Sequence, residues 1–191
     1  LRMMRAARFA SQLNFEIEDS TLAAMKDMAS RISIVSAERI RDEFTKLLMS
    51  NNPRRGISIM VDTGLAALVI PEIPKLKLEI DEHHHHKDVY EHSLTVLEQA
   101  IALEDRLSGA NLTLRLAALL HDIGKPKTKQ LIAGGGVSFH HHEVVGARMC
   151  KERMKKLRFD NHIVNDVSQL VFLHLRFHGY GSGEWTDSAV R

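Results

Sequence analysis

A histidine and an aspartate stand side by side where an apolar run ends, in Leu116-Ala117-Ala118-Leu119-Leu120-His121-Asp122-Ile123-Gly124-Lys125-Pro126. Neighbouring residues on a helix point about 100° apart, at ~3.6 residues per turn, so an i, i+1 pair near a helix end can converge on one cation. Imidazole with carboxylate suits a transition metal that activates water. The dipeptide by itself fits a buried helix with a polar end better than a metal site. Further imidazoles change the balance, with His92 upstream and His142 and His174 downstream. Lys125, three residues after Asp122, has two readings: a cation favoured beside a helix C-terminus, or an ammonium placed on a substrate phosphate.

These residues need helices to bring them together. Lys87 to Leu97 reads as a helix with Val89, Val96 and Leu97 inward and His92 close to that side, where a lone histidine is more often a hydrogen-bonded core residue than a ligand. Leu112 to Leu120 is apolar enough to be buried on most sides. Gly134-Gly135-Gly136 forms a hairpin-like tip and not a phosphate-cradling loop, because no strand precedes it and no Gly-Lys-Ser/Thr follows. Phe139-His140-His141-His142-Glu143 opens the next helix, in which Glu143, or Asp88 from elsewhere, is a candidate to hold the second nitrogen of a coordinating imidazole. A last helix from about Asn161 to Phe177 puts His174 beside Val164, Val167, Leu170 and Val171. His178, one turn on, reads as a helix-end residue. The run His83-His84-His85-His86 reads as native sequence and as a weak source of ligands, since consecutive side chains diverge.

The first 74 residues are also helical by period. Leu1, Met4, Ala7 and Ser11 share one side of the opening helix, while Arg2, Arg5 and Arg8 form a basic row that reads as a solvated face. Asp19 or Ser20 is positioned to cap a second helix, and Ser36 opens a third with the stripe Ile40, Phe44, Leu47 and Leu48. Pro53-Arg54-Arg55-Gly56 is expected to precede a helix starting at Ile57, with Gly64 as a cap beyond it. Nothing alternates with period two for long enough to make a strand, so the fold class is all-α. Pro71-Glu72-Ile73-Pro74 marks the expected boundary between segments 1–74 and 75–191. A net charge of +2 neither requires nor excludes a polyanion, and one cysteine among 191 residues rules out an intrachain disulfide framework. No apolar run reaches the roughly 18 residues of a membrane helix. The cysteine usage and the lack of a signal peptide point to the cytoplasm. The chain begins mid-helix in character and without an initiating Met, which reads as a fragment of a longer protein.

Two resemblances add to this reading. The second half resembles the HD superfamily of metal-dependent phosphohydrolases: an early helix with a histidine (His92), the His121-Asp122 pair, a His-Glu-x-x-Gly element at His142 to Gly146, and a later histidine, His174. That resemblance implies His92, His121, Asp122, His142 and His174 as metal ligands, Mn, Fe, Co, Ni or Zn as the ion, and His121, Asp122 and Lys125 as the hydrolytic residues. It also gives His86 a possible place at the pocket mouth. The family's closing aspartate lies on a further helix after the His174 element, so Asp166 is not its counterpart. The first half, through LRMMRAARFASQLNF, VSAERIRDEFTKLL and GLAALVIPEI, resembles the neck and body of class II tRNA nucleotidyltransferases, which comprise CCA-adding enzymes and bacterial poly(A) polymerases.

In that family Arg2 would be the arginine of the EDxxR motif that pairs with the incoming base, and Arg39 and Glu43 would support the nucleotide pocket. Partners would then be tRNA, with CTP and ATP in the full-length parent, and Mg would serve the nucleotide-adding head. The expected architecture is a helical neck and body followed by an HD-type bundle, the latter acting on 2′,3′-cyclic or 2′-phosphates. The rival readings are an RNA-binding body with a non-catalytic HD site, and an HD nucleotide phosphohydrolase of other biology.

Overall fold

The structure is a computed structural model and describes residues 1–78, 88–133 and 136–177. It is built from helices: α1 (Arg2–Leu13), α2 (Asp19–Asp27), α3 (Ala37–Leu48), α4 (Pro53–Asp62), α5 (Leu65–Val69), α6 (Val89–Ala102), α7 (Leu112–Leu120), α8 (Lys125–Thr128), α9 (His142–Lys156) and α10 (Asn161–Leu173). Tighter 3-10 turns cover Ala29–Ile34, Pro74–Leu76, Glu104–Arg106 and His174–Phe177. Two-residue strands β1 (Gln130–Leu131) and β2 (Val137–Ser138) pair antiparallel, Gln130 opposite Ser138 and Leu131 opposite Val137. A ladder this short leaves no alternation for a sequence pattern to show. The expected residues His83 to His86, Gly134, Gly135 and His178 lie outside the described residues.

Several helix starts are set by side-chain caps. Asp88 accepts from the Tyr90 N–H at 2.9 Å, and Asn111 accepts from the Leu114 N–H at 2.9 Å. The fourth helix begins at Pro53 rather than at the expected Ile57. Proline is suited to the first helical position because its missing N–H would be unpaired there anyway, and the Asn52 side chain caps the turn. Gly56 then falls inside α4 where it crosses α1: a Cβ there would overlap Ser11 Oγ and lie 2.9 Å from the Ala7 carbonyl. Glu18, rather than Asp19 or Ser20, occupies the N-cap of α2. Ser36 stands at the N-cap of α3 as expected, without a side-chain cap bond.

The apolar core runs unbroken through both halves, from Met4 and Ala7 to Val167 and Val171. α1 packs on α3 and α4, α6 on α7, and α10 on both α7 and α9. Three arginines fasten these layers. Arg115 of α7 is 5% exposed. It donates to the Leu48 and Ser50 carbonyls at 2.8 and 2.9 Å and to both oxygens of Glu104 at 2.7 and 2.6 Å. Arg54 of α4 holds Glu91 and Glu98 of α6 at 2.6 and 2.8 Å, and Arg153 of α9 holds Glu72 at 2.9 Å. Cys150 is buried in this core, and burial together with the Glu72 charge pushes its thiol up to about 12, so it stays an inert neutral thiol. Among the described residues no helix is long and apolar enough to cross a membrane.

Candidate metal centre

α7 is buried along most of its length, and His121 closes it at the C-cap with Asp122 on the following turn. Asp122 is 1% exposed. Around its carboxylate stand four imidazoles, each presenting Nε2. His121 is 3.1 Å and His92 3.9 Å from Oδ2, while His142 is 3.3 Å and His174 3.8 Å from Oδ1. The two oxygens thus face different pairs, and the ligand atoms form two groups, His92 with His121 and Asp122, and His142 with His174 and Asp122, each within 4.8 Å. The four histidines expected as ligands therefore converge on this one acid. His140 and His141 stay exposed, with His141 in a left-handed turn at φ 60° just ahead of α9.

The far nitrogens decide what the cluster can hold. Nδ1 of His121 lies 2.8 Å from the Ala118 carbonyl, Nδ1 of His142 2.8 Å from the Phe139 carbonyl, and Nδ1 of His174 2.6 Å from the Val171 carbonyl. A carbonyl only accepts, so each Nδ1 carries the proton, and in the neutral ring Nε2 offers a lone pair inward. Lone pairs therefore point at a carboxylate and, for His142 and His174, at one another across 3.2 Å. Such facing acceptors need positive charge between them. A divalent ion with mixed nitrogen and oxygen ligands supplies that charge, so the donor set fits one. For His121, His142 and His174 the orienting partners are backbone carbonyls three residues earlier rather than the expected Glu143 or Asp88, and the Asp88 carboxylate caps α6.

Burial alone would raise the Asp122 carboxyl, but the imidazoles of His121 and His142, which donate to it and carry charge only when Nε2 is protonated, and the Lys125 ammonium hold it far below the usual carboxylate range. Burial is also the main reason His174 lies below an ordinary imidazole, which keeps it neutral. Lys125 reaches Asp122 Oδ2 at 2.7 Å, so its ammonium rests on the acid itself and not at a free surface position.

The site depends on a close crossing that the ligand pattern does not reveal. A Cβ on Gly124 would overlap the His142 carbonyl and fall 2.7 Å from the Gly146 nitrogen, and one on Gly146 would sit 3.3 Å from the Gly124 nitrogen. These two glycines let α9 approach the turn after α7 closely enough to bring His142 against Asp122. Gly146 is legible as a packing glycine. Gly124, placed two residues after the pair, reads in sequence only as a helix stop.

The residues singled out in the first half lie elsewhere. Glu43 is 5% exposed in α3. Arg5 reaches its Oε1 at 3.1 Å and Arg8 its Oε2 at 2.9 Å. The basic row is therefore not merely solvated, because two of its members clasp a buried acid. Arg2 and Arg39 are exposed.

The model of the HD domain matches residues 89–188, more than half of the chain. The chain belongs to the HD domain family. Ahead of the HD domain, residues 14–76 match a model described as the probable RNA and SrmB-binding site of polymerase A. An A-adding tRNA nucleotidyltransferase of Deinococcus radiodurans is 36% identical over 92% of this chain. Proteins named multifunctional CCA protein are 32% identical over 95% of it in Neisseria meningitidis and 34% over 94% in an Azoarcus species. The chain is thus homologous to tRNA nucleotidyltransferases over almost all of its length, and spans 41–42% of the length of these relatives.

Proposed function

We propose that the chain is part of a tRNA nucleotidyltransferase that completes tRNA 3′ ends, with residues 1–74 as neck and body and residues 75–191 as a metal-dependent phosphohydrolase of 2′,3′-cyclic or 2′-phosphates. Adding the whole CCA or only its terminal A fits the relatives' names equally. One observation carries the hydrolytic reading: imidazoles with their inner nitrogens unprotonated ring a buried carboxylate.

His92, His121, Asp122, His142 and His174 would hold a divalent ion, which would supply Lewis acidity toward water and phosphate oxygen. Water oxygen would bond to phosphorus as one ester P–O bond breaks, the proton that the water loses ending on the departing oxygen. Lys125, whose ammonium rests on Oδ2 of Asp122, would be close enough to neutralise charge on the phosphate. The second nitrogens of the His121, His142 and His174 rings stay bonded to backbone, which keeps these imidazoles from turning toward substrate. In the first half, Arg2 would meet the incoming CTP or ATP base, Arg39 would line the same pocket, and Glu43 would serve it by fixing Arg5 and Arg8.

The purified protein should carry a stoichiometric divalent metal of the Mn-to-Zn group and hydrolyse a 2′,3′-cyclic nucleotide, and His121→Ala should abolish both. A protein that takes up no metal and shows no turnover, unchanged by that substitution, would leave an RNA-binding body whose histidine cluster serves packing alone. The match of residues 14–76 to an RNA-binding segment fits either outcome.

A further inference from the structure

The cations of α9 fall on two sides of the helix and are used differently. Arg153 points inward and holds Glu72 at 2.9 Å. Arg148, Lys151 and Lys155 are exposed and spaced by three and four residues, so they share a face within about 60° of arc, at ~100° per residue. Exposed Val144 begins that face, and Glu152 lies on its flank. Arg158 is exposed in the left-handed turn just past the helix, 4.0 Å from Glu38. Among the described residues no carboxylate lies within ion-pair distance of Arg148, Lys151 or Lys155. Like charges three and four residues apart on a helix repel one another. The helix dipole offsets this for Lys155 in the last turn, but not for Arg148 or Lys151 nearer the middle. A face that only meets solvent ordinarily mixes both signs.

This face is separate from the metal centre, because His142 is the α9 residue lining the cavity that opens beside Asp122. It is also a poor seat for more protein. A packing helix buries apolar surface, which the face offers only at Val144, whereas Leu103, Leu107 and Leu170 offer it elsewhere in the second half. Protein interfaces are moreover depleted of lysine. A polyanion backbone needs what the face does supply, long cationic side chains in a row without an apolar anchor. Resting on the tRNA reading above, we infer that the outer face of α9 is a second RNA-docking surface, on which Arg148, Lys151 and Lys155 meet the sugar-phosphate backbone. Arg148 and Lys155 stand about 10 Å apart along the axis, at ~1.5 Å per residue, a reach of a few successive phosphates. RNA contacts then extend beyond residues 14–76 into the HD half, and they hold the strand without reading its sequence.

The test measures binding of a labelled tRNA transcript to the full-length protein over a range of salt concentrations. Combining Arg148→Gln, Lys151→Gln and Lys155→Gln keeps helix propensity, so circular dichroism and thermal unfolding should match the wild type. The triple variant should bind tRNA at least tenfold more weakly at low salt. Its slope of log affinity against log salt should be shallower by about 2, at roughly 0.7–0.9 per phosphate contact. Lys151→Gln alone should take part of that slope, while Lys156→Gln, about a third of a turn off the face, should change little. Equal effects of these two would reduce the result to net charge and overturn the face. A wild type that binds tRNA with steep salt dependence and a triple variant that matches it would also overturn the face, with the tRNA reading left standing. A wild type without affinity for tRNA would end that reading. An oligouridylate bound by the wild type and lost in the triple variant would then still support the face, and no such difference would overturn it. Displacement of tRNA by poly-L-glutamate at equal charge concentration would assign the face to an acidic protein and overturn its assignment to RNA.

Discussion

Two buried acids divide the molecule. Glu43 in the first half and Asp122 in the second are 5% and 1% exposed, and both are ringed by basic side chains. Around Glu43 the base is guanidinium, from Arg5 and Arg8, whose charge is permanent in any pH a protein survives. Around Asp122 it is imidazole, which carries charge only when a proton or an ion provides it. The first acid is answered by the chain itself and joins α1 to α3. The second is answered only conditionally by its imidazoles. Lys125 is the exception in the second site, a permanent cation resting on the acid itself.

The comparison can be broken most directly at Glu104, a third acid answered by a fixed cation. Both partners are buried, so Glu104→Ala leaves Arg115 without its acid and should cost about 4 kcal/mol in denaturant unfolding, with or without divalent metal. The hydrogen bonds from Arg115, outweighing burial, hold the Glu104 carboxyl below its usual range. Its contribution is therefore fully present above the unfolded value of about 4.3, and is lost as pH falls through the lower folded value, which an acid titration of stability would show. Gly124→Ala comes next. The new methyl meets backbone of α9, and a loss of about 3 kcal/mol should accompany loss of bound metal, read by unfolding and by metal analysis.

Divalent metal should stabilise the wild type by about 2.7 kcal/mol at a hundred times its Kd, and a chelator should reverse the gain. Asp122→Asn should abolish that increment, while Glu43→Gln should keep all of it. Glu43→Gln itself should cost about 2 kcal/mol by thermal or chemical unfolding, less than a fully buried pair because Arg5 is half exposed. If Glu43→Gln erased the metal increment, the two acids would not be independent. The smallest effect concerns RNA: affinity of the full-length protein for tRNA should fall steeply as salt rises, and a flat response would count against phosphate contacts by the helices of the first half.

How much of this is legible in sequence depends on the range of the interaction. Helical periods are local, so α3 with its stripe of Ile40, Phe44, Leu47 and Leu48 is readable outright. Pro53 after Asn52 is also a local signal, yet it reads as a break when it marks a first turn. His92, His142 and His174 are separated from Asp122 by long stretches of chain, and no spacing rule assigns them. Likeness to a family pattern singles them out, and the convergence on one carboxylate agrees with it. Arg115 reaching the end of α3 across 67 positions, and Arg5 and Arg8 reaching Glu43, have no local signature at all. Gly124 shows the same limit from the other side, because its requirement comes from a backbone that packs against it only after folding.

Arg115 has a consequence for anyone wishing to divide the chain. The helix that ends in His121 carries the guanidinium that closes the carbonyl end of α3. A shortened chain starting after residue 74 would leave that cation Glu104 but strip it of its two carbonyl acceptors, and one stopping there would leave those carbonyls without the guanidinium. The segments matched by separate family models are therefore not interchangeable cassettes, and a chimera exchanging one of them must bring its own stopper for the end of that helix.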